Sequence, residues 1–204
     1  EYTKDSLGAG VRFGYPLGID EYTRGSVSYF YDDADVFDID DDAAVAVKDM
    51  EGRNVTSSVL LGIIRNSKDR PWNTSDGSYN SVSFEYAGGF LGGDVGFEKY
   101  LATTAWYLPL PFKTVFMTQG RWGYINQHSD EKLPIYQKFQ IGGLNTVRGF
   151  DDYDISPRDP ATNDKIGGEK MMIYNFEYRF PLLKEHGVTG LVFFDAGNVY
   201  TKDQ

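Results

Sequence analysis

The chain contains no cysteine, which excludes disulfides and thiolate chemistry. Its two histidines, His128 and His186, are too few for a histidine metal site and have no obvious serine partner for hydrolysis. Long apolar runs are missing as well. The longest nearly unbroken one covers residues 59–64, against the roughly 20 residues a membrane-spanning helix needs. Positive charge is scarce: 20 Lys and Arg face 30 Asp and Glu, and the net charge of −10 argues against a nucleic-acid partner, which would need a basic patch. The opening residues, Glu1-Tyr2-Thr3-Lys4, lack the basic region and apolar core of a signal peptide, so an internal fragment is expected. No solenoid-type repeat is visible.

Aromatic residues and glycine are abundant, with 15 Tyr, 14 Phe and 23 Gly among 204 residues. That combination points to many strands with tight turns in one all-β domain. The mean hydropathy of −0.43 is that of a soluble protein. A spanning β-barrel gives the same value, because lipid-facing and lumen-facing residues alternate along each strand.

Reading for period 2 predicts eight strands, at 8–16, 21–31, 53–65, 78–88, 94–107, 112–124, 169–180 and 187–199. In the seventh, Met172, Tyr174, Phe176, Tyr178 and Phe180 share one face, and Asn175, Glu177 and Arg179 the other. Val82, Phe84 and Tyr86 likewise oppose Ser81, Ser83 and Glu85, and Val11, Phe13 and Tyr15 oppose Arg12 and Gly14. A soluble antiparallel sandwich alternates too. Three features favour a membrane. Several segments reach 11 to 14 residues, longer than the 5 or 6 typical of soluble sheets, at roughly the length of a tilted crossing. Aromatics gather toward strand ends (Tyr29, Tyr31, Trp106, Tyr107, Trp122, Tyr124), as interfacial girdles require. Connections alternate between short (17–20, 108–111, 181–186) and long (32–52, 125–168), although 66–77 is long for its side and 88–93 short for its own. The long ones are expected outside the cell and the Pro109-Leu110-Pro111 corner in the periplasm.

The acidic stretch around Asp32, Asp33, Asp35, Asp38 and Asp40 to Asp42 invites a calcium reading. The turn glycine of an EF-hand is replaced by Ala43 and no closing Glu follows, so a solvated outer loop is expected instead.

A connection of 44 residues (125–168) is rare in a compact domain unless it has a function. It carries Gly142-Gly143-Leu144-Asn145-Thr146-Val147-Arg148-Gly149-Phe150, which resembles the Gly-Gly-x-x-x-Val-Arg-Gly-Phe frame of the BamA superfamily. Gly120-Arg121-Trp122-Gly123-Tyr124, Asn175-Phe176-Glu177-Tyr178-Arg179-Phe180-Pro181 and Phe193-Phe194-Asp195-Ala196-Gly197-Asn198-Val199 are similar to the strands around that loop, in the same order. Earlier matches at Tyr15-Pro16-Leu17 and Asp69-Arg70-Pro71 are weak.

The resemblance implies an antiparallel transmembrane β-barrel, of which these would be eight strands from the middle-to-late part of sixteen. No POTRA domain lies in residues 1–204, and the long loop would fold into the lumen. It also implies an outer-membrane protein insertase of bacteria, working on nascent β-barrel substrates by strand pairing, in contact with outer-membrane lipid and lipopolysaccharide, with accessory lipoproteins reached through POTRA domains. No cofactor, metal or catalytic residue is implied. On the residues alone, Arg148 reads as a surface charge and Glu177 and Asp195 as polar lumen groups. With the resemblance, Arg148 is expected in the lumen, held by Glu177 and Asp195, with Gly149 turning the chain and Phe150 packing on the inner wall. Alternatives are a two-partner secretion transporter of the same superfamily, a passive porin with an unplugged lumen, and a barrel enzyme.

Overall fold

The computed structural model describes residues 2–128, 131–183 and 187–204. Eight strands are present: β1 (Thr3–Pro16), β2 (Thr23–Phe37), β3 (Gly52–Asn66), β4 (Gly77–Ala87), β5 (Phe97–Leu110), β6 (Thr114–Gln127), β7 (Lys170–Leu183) and β8 (Val188–Tyr200). They form one sheet in which each pairs antiparallel with its sequence neighbours, and β1 and β8 lie at its two edges. No described helix is long and apolar enough to cross a membrane.

Register explains the alternation. Phe13, Val27, Leu61, Phe84, Tyr100 and Tyr124 are successive cross-strand partners from β1 to β6, so one apolar row runs around the convex face. The Phe84 and Tyr100 rings lie 4.9 Å apart and those of Tyr100 and Tyr124 6.2 Å. Phe13, Val27, Leu61, Val82 and Phe194 are all exposed, a contiguous apolar surface that water penalises and hydrocarbon does not. On β7, Met172, Tyr174 and Tyr178 are exposed, whereas Asn175 and Glu177 are buried on the concave side.

Several expected boundaries move. β1 begins at Thr3, and β2 runs on to Phe37, so Asp32, Asp33 and Asp35 belong to a strand rather than a loop. They tolerate it because the neighbouring strands bring cations: Arg53 reaches Asp33 at 2.5 Å and Lys4 reaches Asp32 at 3.9 Å. β5 is displaced toward the C-terminus, and Pro109 and Leu110 pair with Val115 and Thr114. The corner is instead Pro111–Lys113, with Phe112 and Lys113 at φ 64° and 63°. His186 lies outside the described residues.

The acidic connection 38–51 is also not the solvated loop expected. It contains a one-turn helix, α1 (Val45–Lys48). Ala43, Ala44, Val47 and Met50 pack with Val36 and with Ile135 of the long connection, flanked by Tyr136 and Ile166. The apolar residues between the aspartates drive this, and the Ala44 amide adds a 2.7 Å hydrogen bond to Asp164 Oδ2. The two long connections thus form a cap over one end of the sheet. A second apolar cluster lies against the concave wall, where Phe139, Ile141 and Val147 of the long connection meet Phe97, Ile125, Ile173 and Val199 of the strands.

Candidate functional site

The long connection leaves β6 and returns to β7. Its arms are joined by antiparallel bridges between Phe139 and Gly168 and between Ile141 and Ile155, and by a Lys138–Glu169 ion pair at 2.7 Å. At the apex Gly142 and Gly143 take φ 126° and 86°, values that favour glycine. A Cβ on Gly142 would also collide with the Asp151 carbonyl. Gly142 N donates to Thr146 Oγ1 at 2.8 Å and Gly143 N to the Phe150 carbonyl at 3.0 Å. This closed turn aims Val147 and Arg148 at the wall.

Arg148 meets both carboxylates. Its Nε and Nη2 fork onto Asp195 Oδ2 and Oδ1 at 2.6 and 2.7 Å, and its Nη1 donates to Glu177 Oε1 at 2.6 Å. The Arg148 main-chain amide adds a fourth bond, to Asp195 Oδ2 at 3.0 Å. The guanidinium also lies 3.8 Å from the centroid of the Phe193 ring, a cation–π contact. The Asp195 carboxylate, aided by Glu177, holds the guanidinium above its ordinary pKa against the opposing effect of burial. A planar fork suits this pairing in a way an ammonium does not.

Further residues complete the site beyond those assigned from the sequence. Arg179 forks onto the other Glu177 oxygen at 2.8 and 2.6 Å, so Arg148, Arg179, Glu177 and Asp195 form a neutral quartet. Asn175 is more than a polar lumen group: its Nδ2 donates to Asp195 Oδ1 at 2.8 Å and to the Thr146 carbonyl at 2.7 Å. Arg121 donates to the Asn145 carbonyl and to Asn175 Oδ1. Two wall glycines make room for the loop. A Cβ on Gly197 would lie 2.9 Å from Val147 Cγ2, and one on Gly123 would collide with the Phe139 ring.

Phe150 does not pack on the inner wall, contrary to expectation; it is 53% exposed, while Val147 is 4% exposed. Gly149, at φ 90°, turns the chain after Arg148, so the wall position goes to Val147. Among the described residues no group of three or more His, Cys, Asp or Glu side chains is arranged to hold a metal.

A sheet with an apolar convex face and a loop clamped to its concave face is the architecture of an outer-membrane-type β-barrel segment. The sequence profile of the Omp85 superfamily domain matches residues 1–204, and the chain belongs to that superfamily. It is 33% identical over 98% of its length to the outer membrane protein assembly factor BamA of Nitratidesulfovibrio vulgaris, covering 25% of that protein. It is 29% identical over 77% of its length to the sorting and assembly machinery component 50 homolog of Mus musculus, covering 34% of it. The chain therefore spans about a quarter to a third of these relatives. The crystal structure of BamA from Haemophilus ducreyi lacking POTRA domains 1–3 superposes with a TM-score of 0.83, covering 99% of this chain and 43% of that one at 22% identity, a likeness of fold.

Proposed function

We propose that this chain is part of the barrel of an outer-membrane protein insertase, and that the Arg148 clamp holds the long loop inside that barrel. The relatives named as assembly factors support the activity, and the observation that carries the clamp is the two-carboxylate grip on Arg148. The substrates are nascent β-barrel proteins, and the work is strand pairing and transfer into lipid, with no covalent step and no catalytic residue. The membrane is the bacterial outer membrane, with lipopolysaccharide beside the convex face and accessory lipoproteins bound through POTRA domains elsewhere in the parent protein. A loop packed on the concave wall argues against a wide, passive porin lumen. The test is complementation of a depleted cell by the full-length parent carrying Arg148→Ala. At normal levels of the folded variant, the amount of heat-modifiable outer-membrane barrels is expected to fall. Full complementation would refute the clamp's role.

A further inference from the structure

Lys99 lies outside the network around Arg148. It occupies the concave face of β5, opposite Glu85 of β4 and Ile125 of β6. Its ammonium donates to the main-chain carbonyl of Gln137 at 2.9 Å and stands 5.1 Å from the centroid of the Phe139 ring. Both partners belong to the long connection, but to different parts of it. Two residues before Gln137, Ile135 is buried in the cap cluster; two residues after it, Phe139 is buried in the wall cluster. Gln137 itself ends the short 3-10 turn Ile135–Gln137. Lys99 therefore grips the connection at the joint between cap and luminal arm.

The choice of residue is informative. Removing an ammonium from water is unfavourable, and a methionine of similar length would pack against Phe139 without that penalty. What the ammonium adds is a charged donor to the Gln137 carbonyl and attraction to the ring face. Because the acceptor is main chain, the grip fixes the path of the backbone irrespective of the side chain at residue 137.

We propose that Lys99 is a positioning residue, a second anchor that sets the cap against the luminal arm independently of Arg148. The inference rests on the reading of the long connection as a held luminal element, so the two are tested side by side. Hydrogen exchange is measured on the full-length parent in bilayer nanodiscs, as wild type, Lys99→Met, Lys99→Arg and Arg148→Ala. In Lys99→Met, the mutually bonded amides of Phe139 and Gly168 should exchange at least about tenfold faster, the loss expected for a charge-assisted hydrogen bond. Gly143 at the apex should stay protected, and Lys99→Arg should restore the wild-type rates. Arg148→Ala should do the reverse, releasing the apex first. Unchanged exchange at Phe139 and Gly168 in Lys99→Met would overturn the second anchor, and so would equal release of stem and apex, which marks one cooperative unit. A protected apex in Arg148→Ala would instead overturn the clamp reading alone. Should Lys99→Met fail to fold by heat-modifiable mobility, Lys99→Gln is read by the same criteria. If neither folds, Lys99 serves barrel stability and the proposal falls.

Discussion

Replacing Asp195 by alanine should release the apex of the long connection. Asp195 is 2% exposed in its side chain and accepts four hydrogen bonds, three from Arg148 and one from Asn175. Its removal leaves Arg121, Arg148 and Arg179 facing Glu177 alone, and Glu177 is already shared by Arg148 and Arg179. Breaking a buried pair from one side costs about 3–5 kcal/mol. Arg148 keeps Glu177 and the Phe193 ring and is itself 15% exposed, so the low end, about 3 kcal/mol, is the better figure. That corresponds to roughly a hundredfold increase in the open population. Limited proteolysis of the loop in the full-length parent reads that population when opening is fast relative to cleavage. Asp195→Asn, which keeps one acceptor without the charge, should fall between. A double-mutant cycle with Arg148→Met isolates the pair. A coupling below about 0.5 kcal/mol would refute the reasoning, because it is the scatter expected of independent sites.

Three other outcomes are expected. Phe176→Arg, placed between the Phe116 and Phe194 rings at 6.5 and 6.4 Å, should lower barrel stability by about 2–4 kcal/mol if the site lies near the bilayer midplane, measured by reversible unfolding in lipid vesicles. No loss would mean the convex face does not meet hydrocarbon. Cysteines at Val45 in the cap and Phe112 in the β5–β6 turn, 70% and 89% exposed, should label oppositely with an impermeant reagent on intact cells, Val45 reacting and Phe112 not; equal labelling would cancel the orientation. The Ala44 amide and the Thr162 hydroxyl hold the Asp164 carboxyl below its usual pKa. This bond's contribution is therefore present above about pH 4, the ordinary carboxylate value, and lost as pH falls through the lower folded value. Protection of the Ala44 amide should decline in that acid window and cease to do so in Asp164→Asn.

The strands were legible because their two faces meet different surroundings. Met172, Tyr174 and Tyr178 point outward and Asn175 and Glu177 inward, as period 2 on β7 requires. The misread boundaries share a cause: charge and proline look like loop signals when partners are unknown. Asp33 and Asp35 continue β2 because Arg53 pairs across from Asp35 and bonds Asp33. Pro109 sits in the last turn-proximal pairs of β5, where a missing amide matters least. The cap has no local signature in the sequence because Ala43, Val47 and Met50 find their apolar partners in Ile135 and Ile166, more than eighty residues away. Lys99 left no signal, since its acceptor is a main-chain carbonyl and no side-chain pattern encodes one.

The charges of the site also bear on how the loop is held. Arg148, Glu177 and Asp195 taken alone would leave the lumen one negative charge in excess. Arg179, at the same parity as Glu177 on β7, corrects this through its fork onto the second Glu177 oxygen. Consider the wall with Arg148 withdrawn: Arg121 and Arg179 then stand among Glu177 and Asp195, and Asn175 still donates to Asp195. Once Arg121 is counted, the wall is balanced without the loop, and the site with Arg148 in place carries one positive charge in excess. Its hold on Arg148 therefore comes from the geometry of short, directed bonds rather than from excess negative charge. A clamp of that kind loosens steeply once the fork is misaligned, because each bond depends on angle as well as distance. The two glycine seats opposite Val147 and Phe139 maintain that alignment, and they tie the packing of the loop to the strength of its charges.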